Sequence, residues 1–228
     1  QGKTLLKKVQ LWDVPAAGPS GWLDTYYVYD SLDNLRFVIP PKAVVWLQGN
    51  GWNFLASGGS SMASELCFRY EYDFRKRMII KKVPGAGEAW MVYDARDRLV
   101  MTQDSLLRGS LQWLYTKYDS ENRPDSTGLI TVTAANNTLS YQETNANVST
   151  NYPVVASYTN TLLTSTFYDD YSWVAIQANR VGSVLAPAHT TSSSYFITAV
   201  NTSPTYAVAI VPHYVTRGMV TGTKTGII

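Results

Sequence analysis

A seven-residue pattern opening on Tyr-Asp recurs along the first half of the chain. Four segments superpose without gaps: Tyr29-Asp30-Ser31-Leu32-Asp33-Asn34-Leu35, Tyr72-Asp73-Phe74-Arg75-Lys76-Arg77-Met78, Tyr93-Asp94-Ala95-Arg96-Asp97-Arg98-Leu99 and Tyr118-Asp119-Ser120-Glu121-Asn122-Arg123-Pro124. Their tyrosines are separated by 43, 21 and 25 residues, and 43 is close to two spacings of 21. A unit that recurs in this way builds its fold by stacking on its neighbours, which constrains the architecture more than any compositional figure.

Each copy reads as a β-hairpin. An aromatic-rich strand leads into it, as where Phe68, Tyr70 and Tyr72 alternate with Cys67, Arg69 and Glu71 on the opposite face. The Asp after Tyr can accept backbone N–H bonds two residues on and so start a turn. Three residues after that Asp stands Asp33, Lys76, Asp97 or Asn122. Asp and Asn tolerate the left-handed backbone that a hairpin corner needs, and Lys76 fits that role poorly. The next position is Arg77, Arg98 or Arg123, with Asn34 in the first copy. A planar five-donor guanidinium there can bind the turn Asp or the carbonyls of a neighbouring hairpin. The 16 Tyr, 7 Trp and 6 Phe of the chain suit half-buried strands.

Partial copies extend the pattern. Residues 2–9 line up with residues 76–83, so the chain is expected to begin inside the turn of a repeat and to be a piece of a longer protein. Tyr168-Asp169-Asp170-Tyr171 reads as a fifth, degenerate copy. The region 41–65 interrupts the repeat: Pro41 to Gln48 is expected to form a short helix, and the Gly/Ser-rich stretch after it a mobile loop. Residues 131–228 hold only six of the 36 charged side chains and are rich in Thr, Ser and Asn. Their strand-like runs, "LLTSTFYDDYSWVAI", "SYFITAV" and "YAVAIVPHYV", predict a β region there that either continues the sheet of residues 1–130 or forms a second domain.

These residues resemble the YD-repeat, or Rhs (rearrangement hot spot), family, whose loose consensus is Tyr-Asp, two variable residues, Gly, Arg, Leu. The wording of "CFRYEYDFRKRMIIKKVPGAGEAWMVYDARDRLVMTQDSLLR" is similar to the large Rhs proteins of Bacteroidetes, and "FYDDYSW" and "RGMVTGTKTG" resemble segments that follow the repeats in them. The departure is at the consensus Gly, which none of the four copies has. In the family, ribbons of hairpins coil into a hollow β shell. The complete proteins are exported or surface-located, often with a variable C-terminal toxin that the shell encloses. The resemblance therefore implies a bacterial scaffold segment, secreted or at the cell surface, contributing part of a shell wall. Its partners would be the rest of its own parent chain.

The residues offer little independent chemistry. Nineteen basic and 17 acidic side chains leave no basic surface suited to nucleic acid. Asp30, Asp73, Asp94 and Asp119 recur at equivalent sites, whereas catalysis needs one convergent cluster, so they read as turn caps together with Tyr29, Tyr72, Tyr93, Tyr118, Arg77, Arg98 and Arg123. Cys67 is a single thiol beside an aromatic strand, read as a small buried hydrophobe. His189 and His213 lack Cys or acidic partners at ligand spacing, so neither a metal nor a cofactor is expected. Gly222-Thr223-Lys224-Thr225 has the wrong spacing for a phosphate loop and reads as strand or turn. Trp90 and Trp113 precede hairpins and are expected to pack in the sheet. Trp46 and Trp52, in the insertion, are the candidates for stacking on a carbohydrate or another cell-envelope ligand. No enzyme activity is expected.

Overall fold

The structure, a computed structural model, describes residues 2–11, 21–177 and 215–226. Its strands are β1 (Leu6–Gln10), β2 (Trp22–Tyr29), β3 (Leu35–Ile39), β4 (Phe68–Tyr72), β5 (Met78–Lys82), β6 (Glu88–Tyr93), β7 (Leu99–Gln103), β8 (Gln112–Tyr118), β9 (Pro124–Thr131), β10 (Thr159–Tyr168) and β11 (Val220–Thr225). They lie in one antiparallel sheet in chain order, the mainly β meander that consecutive hairpins predict. The strand candidates "SYFITAV" and, but for its last residue Val215, "YAVAIVPHYV", with Trp12, His189 and His213, fall outside the described residues. Two compact units divide the chain, Gln1–Lys117 with Leu129–Thr161, and Tyr118–Gly128 with Leu162–Ile228.

In the first unit the strands alternate as their sequences require. Phe37, Arg69, Lys82 and Glu88 stand opposite one another across β3 to β6, forming one row on one face. The paired residues Tyr27, Val38 and Phe68 occupy the other face. At each Tyr-Asp corner the register shifts by one residue, between Val28 and Tyr29, Glu71 and Tyr72, and Val92 and Tyr93. Such a bulge re-aims the side chains beside the turn and strengthens local twist.

The insertion folds onto the first face. Helix α1 (Pro41–Gly49) starts on a proline, whose missing N–H is unpaired at that position in any helix. It buries Ala43, Val44 and Leu47 against Ile39, Met62 and Cys67, with Tyr26, Phe37 and Trp46 packed at the margin. The Gly/Ser-rich stretch expected as a mobile loop is in fact helix α2 (Gly59–Leu66). Gly and Ser are weak helix formers, but burial of Met62 within the apolar cluster supplies what local propensity lacks.

Residues after β9 bring a second departure. They leave the sheet for a 3-10 turn, Ala134–Asn136, and helix α4 (Leu139–Ala146), which packs against β6. The side-chain oxygen of Thr138 caps α4 by accepting from the Tyr141 amide at 3.3 Å. The helix buries Gln142 and Ala146, and Gln142 donates to the Asn136 carbonyl while accepting from the Tyr152 hydroxyl. Among the described residues, the β character expected of this half appears at β10 and β11, with β9 ending at Thr131. A further short helix, α3 (Ser105–Gly109), joins β7 to β8 and is capped by Asp104.

In the second unit, β10 pairs with β11 from Thr164 opposite Thr225 to Tyr168 opposite Val220. The Phe167 and Trp173 rings stack at 4.8 Å, only 10° from parallel, and Trp173 Nε1 donates to Thr221 Oγ1 at 3.1 Å. Gly222 passes beneath that indole, where a Cβ would lie 2.2 Å from Trp173 Cζ2. Gly222-Thr223-Lys224-Thr225 is thus strand, where the sequence left strand or turn open. Gly222→Ala should lower stability by about 1–3 kcal/mol through overpacking, measured as a shifted urea midpoint. Gly109→Ala, at a glycine whose added Cβ meets nothing within 4 Å, is the control.

Candidate functional site

Each corner is built round one carboxylate. In the third copy Asp94 is fully buried; its Oδ1 accepts from the Arg96 and Arg98 amides at 2.9 and 3.0 Å. Its Oδ2 accepts from Arg98 Nε at 2.8 Å and Nη2 at 2.6 Å. Asp73 repeats this with the Arg75 and Arg77 amides, both at 2.9 Å, and Arg77 Nε at 2.6 Å. Asp119 does so with the Glu121 and Arg123 amides, both at 2.9 Å, and Arg123 Nε at 2.7 Å. Asp30 takes the Leu32 and Asn34 amides at 2.9 and 2.8 Å, and Asn34 Nδ2 replaces the guanidinium at 3.0 Å. The residue at the consensus Gly is left-handed in every copy: φ is 73° at Asp33, 61° at Lys76, 61° at Asp97 and 63° at Asn122. Even Lys76, the misfit, adopts it, because main-chain bonds on both sides close the loop: Lys76 donates to the Asp73 carbonyl at 3.0 Å and Asp73 to the Arg77 carbonyl at 3.0 Å.

The corners also grip one another. Arg77 stands over the Tyr93 ring, 4.9 Å from its centroid, and its Nη1 reaches Asp97 Oδ1 at 2.7 Å. Tyr93 in turn donates its hydroxyl to the Met78 carbonyl, the residue after that Arg, at 2.9 Å. Lys3 takes the part of Arg77 two joints earlier in the sheet: it lies 4.8 Å over Tyr29 and forms an ion pair with Asp33. The Tyr29 hydroxyl lies 3.4 Å from the Thr4 carbonyl that it donates to. The second unit repeats the set independently. Arg123 lies 4.2 Å over Tyr168, its Nη2 reaches Asp169 Oδ2 at 2.6 Å, and the Tyr168 hydroxyl donates to the Pro124 carbonyl at 2.9 Å.

Asp169 is left-handed, with φ 69°, so in the fifth copy the residue after Tyr takes the role of Asp97 and not that of Asp94. Its carboxyl is held down to about 2, by the Arg123 guanidinium first and by the Gly218 amide second. Hydrogen bonding from Arg75 likewise lowers Asp97. Where the first copy has Asn34 in place of Arg, the second has Lys76 in place of the acceptor Asp, and Lys76 Nζ donates to the Leu32 carbonyl at 3.1 Å.

Sequence reasoning missed the polar strap that locks the corners of the first unit. Arg77 Nη2 donates to Asn147 Oδ1 at 2.7 Å, Arg98 Nη2 to the Thr150 carbonyl at 2.7 Å, and Ala95 N to the Ser149 carbonyl at 3.0 Å. Asn137 Oδ1 accepts from Gln103 Nε2 at 2.6 Å and Trp113 Nε1 at 3.0 Å. No periodicity marks such residues, since each bond spans many positions. Trp113 is fully buried, 6.1 Å from Trp90, whose ring also carries Arg108 at 3.6 Å. Cys67 lies in the apolar cluster, 3.9 Å from Met62 Sδ, and burial pushes its thiol up. Trp46 packs on that cluster, whereas Trp52 is 48% exposed with its ring edge-on to Tyr26 at 5.3 Å.

Arg98→Ala strands the buried Asp94 carboxylate and should cost about 3–5 kcal/mol. Arg75→Ala, at the exposed pair with Asp97, should leave the thermal midpoint nearly unchanged. Asp169 has a depressed folded-state pKa, so its contribution is present above about pH 4 and fades as the pH falls towards 2. The gap in urea midpoint between the wild-type chain and Asp169→Asn should therefore narrow between about pH 6 and about pH 2.5.

No family model matches the chain, and no curated protein matches it. Solved structures similar to it include TcdB2-TccC3-TEV, with 15% identity and a TM-score of 0.42 over 68% of this chain and 6% of that one. TcdB2-TccC3 without its hypervariable C-terminal region gives 15% identity and a TM-score of 0.41 over 67% and 6%. A Photorhabdus luminescens Tc holotoxin pore with a mutated TccC3 gives 15% identity and 0.41 over 67% and 5%. The chain spans 6% or less of the length of these structures' chains.

Proposed function

We propose that this chain is a non-enzymatic structural panel of a Rhs-type, YD-repeat protein, part of the wall of a β shell. The observation that carries the reading is the repetition of one bonding scheme at successive corners. Each Tyr-Asp carboxylate is engaged by at least three donors, which leaves it poorly suited to take a substrate proton. Its parent is exported or displayed at the cell surface, and the shell encloses a C-terminal segment of toxin character, as the family resemblance implies. In the purified full-length parent, that C-terminal segment should survive a protease that degrades the same segment expressed alone. Equal cleavage rates in the two settings would refute enclosure.

A second reading is favoured by one feature of the insertion, where Val45, Trp52, Phe54 and Leu55 are exposed large apolar side chains, Leu55 to 94%. Exposed apolar side chains on α1 and in the loop after it suit a cell-envelope or carbohydrate ligand, with Trp52 as the accessible ring and Trp46 nearby in sequence. A glycan array probed with the chain tests it: retention that is lost in Trp52→Ala supports recognition, and an empty array returns the insertion to a packing role.

A further inference from the structure

The sheet carries a buried lysine beneath the insertion that forms no ion pair among the described residues. The cross-strand row of Phe37, Arg69, Lys82 and Glu88 forms the floor of a cavity of about 290 Å³, and Ser60, Ala63 and Ser64, one face of α2, form its roof. Glu88 accepts from Arg69 Nη2 and, at 3.0 Å, from Trp90 Nε1. Lys82 is only 9% exposed, and its Nζ donates to two main-chain oxygens, the Ser64 carbonyl and, at 2.9 Å, the Ala86 carbonyl. Among the described residues no carboxylate forms an ion pair with it. Its third N–H has no acceptor among the bonds formed. Arg69 Nε lies 3.4 Å from Glu71 Oε1 but is buried without a hydrogen bond.

A buried ammonium that forms no ion pair is costly, and so is a buried donor with no acceptor. Both costs fall on the same cavity, and both are relieved by the same kind of guest. We infer that this cavity is a binding site for a compact oxyanion, a carboxylate or phosphate carried on a small molecule. The anionic oxygens take the free N–H of Lys82 and Nε of Arg69, Ser60 and Ser64 offer hydroxyls, and Phe37 covers the carbon skeleton. A volume near the lower limit of small-molecule sites, roughly 300 Å³, suits a single sugar acid or phosphate. The site stands apart from the Tyr-Asp corners and does not depend on the scaffold reading.

Calorimetric titration of the chain with sodium glucuronate, inorganic phosphate and neutral glucose tests the assignment. At least one anion should bind saturably with a Kd of about 1 mM or tighter, and glucose should not. Lys82→Met should weaken that binding at least tenfold. Ala63→Leu, which fills the cavity and alters no charge, should do the same, and it decides the matter if circular dichroism shows Lys82→Met to be unfolded. Absence of saturable binding by both anions, equal binding of glucose, or unchanged affinity in Ala63→Leu would overturn the inference.

Discussion

A carboxylate that receives the amides two and four residues ahead of it fixes the direction in which a chain turns. In this protein that carboxylate is also clasped by a side chain from the last residue of the same turn, Arg98 for Asp94 and Arg77 for Asp73. The amides close the loop, the guanidinium neutralises the charge, and the tyrosine before it delivers the ring on which the preceding corner's cation rests. Burial of Asp94 is tolerable only because every one of these donors is present. Strand register, bulge position and hairpin spacing follow from that arrangement.

The sheet does not stand alone in the first unit. The insertion covers one stretch of its face through an apolar cluster of Ile39, Val44, Leu47 and Met62. The segment after β9 packs on β6 in a different way, with amide side chains, Asn137, Gln142 and Asn147, in the places where the insertion uses Leu and Val. The apolar cover is held by surface area, the polar one by geometry. The two differ accordingly in what disturbs them: truncation of a methylene for the first, loss of one hydrogen-bond partner for the second.

What the sequence disclosed follows the range of each interaction. The corners were legible because Asp, the left-handed residue and Arg lie within five positions, and even the alignment of Lys3 with Arg77 anticipated a shared task. Helix α1 was legible from the proline at its start. Helix α2 was not, since Gly59, Ser60 and Ser61 read as loop until Met62 is seen inside a core formed by β3 and α1. Helix α4 was missed for a related reason: its residues are polar, and its partners on Arg77 and Tyr152 are 70 and 10 positions from the residues they bind. The anion cavity was hidden most deeply, because Phe37, Arg69, Lys82 and Glu88 come from four strands and meet only once the register is set.

The grip between corners has a direction: a cation at the end of one turn seizes the acid at the left-handed position of the turn that follows, as Arg77 seizes Asp97. Two joints depart from that pairing: the turn ending in neutral Asn34 is succeeded by one with Lys76 at that position, and the turn ending in Arg98 by one with neutral Asn122. The hairpins are therefore not interchangeable tiles. Deleting a whole turn, or splicing in a copy from elsewhere, would bring mismatched ends together, a lysine facing a guanidinium or an acid facing an amide. Any rearrangement of the turns that preserved these joints would have to keep each donor with its own successor.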